Sequence, residues 1–434
     1  MTAGAGGATG ESVTRSVLPS GIRVVTERMP EACSVTIGFW VRIGSRDEPA
    51  ELAGASHFLE HLLFKGTPGR SARSIAVAVD SVGGEMNAYT TREHTVFYLR
   101  LPVSELERGL ALLADVVAEP AFRPAEVEAE REVILEELLM TADAPDDVVM
   151  TALWEAVFPG HPLGREVLGT TASVERLGRD QLAAFHAEHY RPANLVVAAA
   201  GALRHEQVLD PLVGYLGAAG AGTRPERHGP DAAPVALTVI RRPTEQAHVA
   251  MGWRALAHDD PERYALWAAN QVLGGGLSSR LVQEVREDRG LAYSVYSSPS
   301  TYQDTGILAL YAGTAPERIG ELLDVIDDVL EGLVRDGVTT EEHRVALGCL
   351  EGATLLGLED SAGRMSRLGG NECTHGRVIP LEEQLARIRA VTRQDIDAVL
   401  RRVLGGPRSL AVVGPFDDDD PRLRAAARRW GGPC

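Results

Sequence analysis

The sequence contains little cysteine and almost no lysine. Its four cysteines, Cys33, Cys349, Cys373 and Cys434, are scattered among 434 residues without a Cys-x-x-Cys pair. The sequence therefore predicts neither a disulfide framework nor a zinc site built from cysteines. Lys65 is the only lysine among the 43 basic residues. No apolar run approaches the roughly 20 residues of a membrane-spanning helix, so we expect no membrane partner.

The chain also lacks an excess of positive charge. It has 43 basic and 61 acidic residues and a formal net charge of −18. Nucleic-acid binding depends on a basic surface, so we predict no nucleic-acid partner. The amino terminus has no basic segment followed by an apolar one, which predicts no signal peptide and a cytoplasmic location. Residues 1–14 are rich in glycine and alanine and are predicted to be disordered.

The pattern of strands and helices occurs twice along the chain. Residues 15–213 and 236–434 each show strands interrupted and followed by helices, and a Gly/Ala/Pro-rich stretch, 214–235, separates them. The sequence predicts an α+β fold of two homologous α/β-sandwich halves, each an antiparallel-rich sheet covered by helices. Setting Gly201 against Gly414 aligns the halves at a constant offset of 213 residues. A chance alignment is the alternative to this duplication.

A His-x-x-Glu-His motif is the main chemical signal. On a helix, His57 and His61 are about one turn apart on one face. Neutral imidazoles at this spacing suit Zn²⁺, and Glu60 lies beside the same face, where it can act on a polarised water. Two surface histidines on an amphipathic helix are the alternative. The apolar neighbours Phe58 and Leu59 favour a buried helix and therefore the metal site.

Such a site needs a third protein ligand, and residues 130–137 offer four carboxylates on one predicted helix. Glu130 and Glu137 are seven positions apart and share a face, whereas Glu136 points about 100° away from Glu137. This pair would provide a ligand together with a second carboxylate that orients the site. For the other glutamates of this stretch, a solvated face is the simpler interpretation.

The motif, followed 76 positions later by Glu137, resembles the pitrilysin family of metallopeptidases. Within that family the chain is similar to the mitochondrial-processing-peptidase branch and its bacterial single-chain relatives. The resemblance continues through 87–90, 161–164, 189–194 and 274–281. It implies that His57, His61 and Glu137 bind zinc, that Glu60 is the general base, and that Glu130 supports the ligands.

The resemblance also implies a role for the second half. At the offset of 213, the four motif residues face Asn270, Leu273, Gly274 and Leu350, so the second half cannot bind this metal. In the family, the second half closes a chamber over the first and contacts the substrate. Arg286 and Tyr293 match the family's arginine, which holds the substrate chain, and its tyrosine, whose hydroxyl stabilises the oxyanion. The residues alone would indicate a surface charge and a tyrosine in a strand core.

Substrate binding is expected at a short edge strand after Gly83-Gly84. The resemblance implies that the peptide adds to this strand at Asn87 and Ala88. In the processing-peptidase branch two acids receive an arginine of the substrate. The first falls on Asp147, but the second falls on Thr151, so half of that recognition pair is missing.

These observations predict a zinc endopeptidase that hydrolyses short or unfolded peptides inside a closed chamber. Because the chain is half of the family's usual four-domain unit and carries both the zinc motif and the Arg286/Tyr293 pair, we expect a homodimer. Two alternatives stay open. One is a non-catalytic scaffold subunit of the same fold, and the other is a maturation peptidase dedicated to one precursor peptide.

Overall fold

A computed structural model of the chain describes residues 13–216 and 220–429. Two halves, each built from one large open mixed sheet and several helices, with a small two-stranded sheet added in the first half, confirm the predicted α+β class. The strands of the first half are β1 (Val13–Val17), β2 (Arg23–Arg28), β3 (Ser34–Val41), β4 (Gly66–Thr67), β5 (Arg70–Ser71), β6 (Glu85–Thr90), β7 (Thr95–Pro102) and β8 (Leu195–Gly201). Its helices are α1 (Ala55–Leu63), α2 (Ala72–Asp80), α3 (Leu106–Ala118), α4 (Pro124–Asp143), α5 (Pro145–Val157), α6 (Thr171–Arg176), α7 (Arg179–His189) and α8 (His205–Leu216).

The second half follows the same plan. Its strands are β9 (Leu237–Arg241), β10 (Ala247–Ala255), β11 (Ala292–Thr301), β12 (Gly306–Thr314) and β13 (Arg408–Gly414). Its helices are α9 (Arg263–Leu273), α10 (Ile319–Asp336), α11 (Thr340–Leu356), α12 (Ser361–His375), α13 (Leu381–Arg389), α14 (Arg393–Leu404) and α15 (Pro421–Arg429). A π-helical segment, Val282–Glu287, precedes β11.

Apart from β1, which has no counterpart in the second sheet, the two sheets have equivalent strand orders, and this agrees with the predicted duplication. The first sheet runs β1-β2-β8-β3-β7-β6 and the second runs β9-β13-β10-β12-β11. In each sheet one neighbouring pair is parallel, β2 with β8 and β9 with β13, while the other pairs are antiparallel. β3 and β10, like β8 and β13, begin 213 residues apart. Strand β6, the predicted substrate strand, lies at the edge of the first sheet.

Each half lends one helix to the other. Helix α12 of the second half packs on β8, β3 and β2, and helix α5 of the first half packs on β13 and β10. Both faces of β8 are therefore covered, and all of its residues are buried. This explains why its sequence is a continuous apolar run rather than an alternation. The predicted halves are interlocked and not merely joined by a linker.

The stretch between the halves is held by specific contacts. Residues 214–216 of the predicted linker end helix α8, 217–219 lie outside the described residues, and 220–235 form neither helix nor strand. The Arg227 guanidinium pairs with the Asp47 carboxylate of the first half at 2.7 Å, and both side chains are buried. The backbone N–H of Val235 donates to the carbonyl of Ala156 at 2.7 Å. The described part of this segment is therefore fixed against the first half and is not a free linker.

At the amino terminus, the prediction of disorder over 1–14 is wrong for its last two residues. Val13 and Thr14 belong to β1, where they pair with Glu27 and Thr26 of β2; residues 1–12 lie outside the described part. Apolar alternation in this short edge strand was too weak a signal against the preceding glycines. In the described part of the chain, no helix is both long and apolar enough to cross a membrane.

Candidate metal centre

Helix α1 carries the His-x-x-Glu-His motif and is fixed at its first turn. Gly54 precedes it with φ of +93°, and a Cβ there would lie 2.6 Å from the Leu168 carbonyl oxygen, so only glycine fits. The buried Glu48 carboxylate accepts hydrogen bonds from the backbone N–H groups of Gly54 and Ser56, at 2.8 and 2.7 Å. It thereby satisfies donors that the helix leaves free at its start.

Three side chains that could bind a metal converge at α1 and α4. His57 Nε2 and His61 Nε2 each lie 3.6 Å from Glu137 Oε2, and one ligand atom from each residue lies within 4.8 Å of the others. His57 is buried, whereas the Glu137 side chain is 42% exposed. The structure thus places together the three residues expected to bind zinc, with the open side of the group on the Glu137 side.

The protonation state of His57 suits metal binding. Burial, together with the neighbouring His61, lowers the pKa of His57 to about 4. The imidazole is therefore neutral near pH 7, which is the form that binds metal. Two neutral imidazoles and one carboxylate are a ligand set that fits Zn²⁺.

Glu130 lies where it can orient a ligand. Its Oε2 is 3.2 Å from His61 Nδ1, and its Oε1 is 2.6 Å from the Lys65 ammonium group. When His61 Nδ1 carries the proton and forms a hydrogen bond to Glu130, Nε2 keeps its lone pair. That lone pair is then available to a metal beside Glu137. Sequence reasoning missed Lys65, although its being the chain's only lysine was a signal. His57 Nδ1, in contrast, is buried without a hydrogen-bond partner, so packing holds that ring.

Glu60 lies beside the cluster but is held by a different strand. The Thr90 hydroxyl donates to Glu60 Oε2 at 2.6 Å. Burial raises the pKa of Glu60 above the ordinary glutamate range, while the bond from Thr90 opposes that shift. The carboxylate can therefore hold a proton more readily than an exposed glutamate. Thr90 was matched as part of a motif, but its contact could not be read from the sequence.

The predicted substrate residues lie on the same strand as Thr90. Asn87 and Ala88 belong to β6, which pairs with β7 from Glu85 opposite Arg100 to Thr90 opposite Thr95. Since β6 is the edge of the sheet, its other side offers backbone groups to an added strand. The Asn87 side chain accepts a hydrogen bond from the Ala88 N–H at 2.8 Å. The edge strand thus ends at the residue that holds Glu60.

Asp147 lies in the first turn of α5, directly after the helix that carries Glu137. Burial raises the pKa of Asp147, and the charges of Asp146 and Glu166 add to the effect. At Thr151, where the family's second acid is missing, the hydroxyl donates to Glu166 Oε2 at 2.6 Å. The structure thus brings a carboxylate, Glu166, to this place from a different segment. Sequence spacing gave no sign of it.

Within the described part of one chain, no hydrogen bond or ion pair joins Arg286 or Tyr293 to the cluster. Arg286, in the π-helical segment, forms an ion pair with its neighbour Glu287 at 2.8 Å. Tyr293 is the second residue of β11, at the edge of the second sheet, and is 89% exposed. A side chain so exposed is not part of a strand core, which excludes the alternative interpretation of Tyr293. It also touches little of its own chain.

The fold and the cluster together define a duplicated α+β protein with a candidate metal centre in its first half. Residues 23–171 match the family described as "Insulinase (Peptidase family M16)", and residues 176–347 match the "Peptidase M16 inactive domain". The chain therefore belongs to peptidase family M16, the pitrilysin family, and the resemblance to that family is confirmed.

Similar proteins support the same assignment over nearly the whole length. A Mycobacterium tuberculosis protein named uncharacterized zinc protease is 46% identical, covering 92% of this chain and 93% of its own. A Bacillus subtilis protein with the same description is 37% identical, covering 93% and 98%. The crystal structure of a protease from Helicobacter pylori matches with a TM-score of 0.87 at 21% identity, covering 93% of this chain and 100% of its own. That likeness supports the fold alone.

Proposed function

We propose that the protein is a zinc-dependent endopeptidase whose metal is held by His57, His61 and Glu137. The convergence of these side chains, with Glu60 beside them, carries the proposal. The donor set fits zinc, and relatives that match over nearly the full length are named zinc proteases. A zinc ion there would supply Lewis-acid chemistry at the scissile carbonyl. The non-catalytic alternative is disfavoured because the first half retains the complete motif.

The residues of the chain then divide the work of peptide hydrolysis. Glu60 takes a proton from the attacking water as its oxygen bonds to the carbonyl carbon. The same carboxyl group passes that proton to the leaving amine nitrogen when the C–N bond breaks. Thr90 holds Glu60 in place, and Glu130 fixes the orientation of His61.

A peptide is proposed to bind as an added strand along β6. Backbone hydrogen bonds would then supply affinity that does not depend on the sequence of the peptide, and pockets beside the strand would select its side chains. Such binding requires an extended chain, so short or unfolded peptides are the expected substrates. Asp147 and the net charge of −18 favour basic residues.

We also propose that two copies form the working enzyme. The Tyr293 phenol, 89% exposed in one chain, has no role in its own core. In a homodimer it can face a second copy, close the chamber and donate to the developing oxyanion. Arg286 would lie beside it on the same surface and hold the substrate chain.

Glu60→Gln tests the proposed chemistry. The substitution keeps the shape of the side chain and all three ligands, so zinc content should match wild type. Because it removes only the base, cleavage of a peptide library should fall by about 10²–10⁴-fold. Wild-type turnover in this variant would show that Glu60 is not the base. A wild type with neither zinc nor cleavage would favour the scaffold.

A further inference from the structure

A second group of two imidazoles and one carboxylate lies outside the metal centre. His258 and Asp259 follow strand β10, and His375 is the last residue of helix α12. One potential ligand atom from each lies within 4.8 Å of the others. In the described part of the chain, only this trio and the His57/His61/Glu137 group bring three such atoms together. The two groups offer a metal the same donor types.

The carboxylate of this trio lies between the two rings. Asp259 Oδ1 is 2.7 Å from His375 Nδ1, and Asp259 Oδ2 is 3.5 Å from His258 Nε2. The ring centroids are 5.5 Å apart at an interplanar angle of 79°. The histidine side chains are only 10% and 15% exposed, whereas Asp259 is 68% exposed. The two imidazoles are therefore shielded by the protein, whereas the Asp259 carboxylate faces solvent.

The backbone at both histidines is fixed by local structure. The His258 N–H donates to the Tyr302 carbonyl at 2.9 Å, which fixes the loop after β10. His375 ends α12, and Gly376 follows in the left-handed region with φ of +66°. The carboxyl end of a helix carries partial negative charge, which favours a cation there. The donors are thus positioned before any ligand binds.

We propose that His258, Asp259 and His375 form a second zinc site that ties helix α12 to the loop after β10. Two imidazole nitrogens and a carboxylate oxygen suit Zn²⁺, and the solvent-facing side leaves a place for water as a fourth ligand. Helix α12 packs on the first sheet, while the loop continues a strand of the second sheet. Zinc at this site anchors α12, the second-half helix that packs on the first sheet, to its own half, and so stabilises the interlocked arrangement.

This second site binds zinc more weakly than the metal centre. The positive charge of Arg263 acts on both Asp259 and His375, and it opposes a divalent cation. Asp259 is also the most exposed of the three side chains. We therefore expect that dialysis empties this site while the metal centre keeps its ion, and that added Zn²⁺ refills it.

The proposal is tested by dialysing the full chain and then titrating it with Zn²⁺ in a calorimeter. Wild type should bind one further equivalent. Asp259→Asn keeps an acceptor for His375, and His375→Gln keeps a polar side chain. Each variant should still lower the affinity for the further zinc by at least about 100-fold. A residue that only orients a ligand would change the affinity by roughly 10–100-fold. His343→Gln is the matched control, because the His343 ring bonds the Val391 carbonyl, at 2.8 Å, and belongs to neither group of potential ligands.

A second pair of measurements separates this site from the metal centre. Glu137→Gln should lose the tightly held zinc and still bind the weaker equivalent. In that background, added Zn²⁺ should raise the melting temperature, and Asp259→Asn should abolish the rise. A wild type that binds no further equivalent, or a further equivalent that survives in Asp259→Asn, would overturn the proposal. Since Asp259 is largely exposed, that variant should fold even if His375→Gln does not.

Discussion

At the scale of single residues, the side chains that hold the motif matter as much as the motif itself. Glu48 satisfies two N–H groups at the start of α1, Glu130 faces His61, and Thr90 faces Glu60. Glu130 and Thr90 act on residues that the sequence motif had selected, and Glu48 acts on the backbone of the helix that carries them. Together they fix the rotamers of groups that must meet within a few ångströms, which is the usual requirement of a metal-dependent site.

Glu48→Gln should destabilise the fold without touching a ligand. An amide offers one acceptor oxygen, whereas both oxygens of a carboxyl group can accept, so one buried N–H loses its partner, at a cost of about 1–3 kcal/mol. Chemical denaturation measures this, with the exposed neighbour substitution Glu51→Gln as control. An unchanged free energy of unfolding in Glu48→Gln would show that the carboxylate does not cap α1.

The same residue predicts a dependence on pH. Burial raises the pKa of Glu48 from 4.5 to about 7, so the folded chain holds this proton more tightly than the unfolded chain. Its stabilising contribution is complete below about pH 4.5 and is lost as pH rises through about 7. The advantage of wild type over Glu48→Gln should therefore shrink between pH 5 and pH 8. An advantage that grows over this range would contradict the assignment.

At the scale of secondary structure, the sequence predicted what depends on local pattern. The motif helix, the edge strand β6 and the long helix carrying Glu130 and Glu137 were all predictable, because periodicity and turn residues define them. The exchange of α5 and α12 between the halves was not. The apolar face of an amphipathic helix predicts that the helix packs on something, but it does not identify the sheet. Glu166 beside Thr151 escaped notice for the same reason.

The contact between α12 and the first sheet can be tested with adjacent glycines. A Cβ on Gly369 would lie 2.0 Å from Trp40 Nε1, whereas a Cβ on Gly370 would lie 3.8 Å from the same indole ring. Trp40 is itself buried and cannot move aside. Gly369→Ala should lower the free energy of unfolding by about 1–3 kcal/mol through overpacking. Gly370→Ala should be neutral or stabilising by up to about 1 kcal/mol, because alanine favours helix. Equal effects would mean that α12 does not pack here.

At the scale of the whole molecule, the central question is how the second half reaches the chemistry. The second half lacks the metal motif, as the offset of 213 residues predicted. In one chain, Tyr293 is exposed at the edge of the second sheet, and the sequence could not reveal this exposure. The proposed homodimer resolves it by letting each copy complete the other's site.

Mixing two inactive variants tests that arrangement. Tyr293→Phe alone should reduce kcat by about 10²–10³-fold with an unchanged melting temperature, because the ring is not packed. A Glu60→Gln chain paired with a Tyr293→Phe chain then contains one intact site. Co-refolded equal mixtures should recover about a quarter of wild-type activity, since half of the dimers are mixed. Activity no higher than the mean of the two variants would place Tyr293 in its own chain's site or outside the chemistry.

The most direct test of the metal centre compares two neighbouring glutamates. Glu137 faces the histidines, whereas Glu136 is exposed on another face of α4. After dialysis, wild type and Glu136→Gln should each retain about one zinc per chain, as expected for one site of three ligands, and should cleave peptides equally. Glu137→Gln should lose both the zinc and the cleavage. If Glu137→Gln instead keeps its zinc and Glu136→Gln loses it, the site described here is wrong.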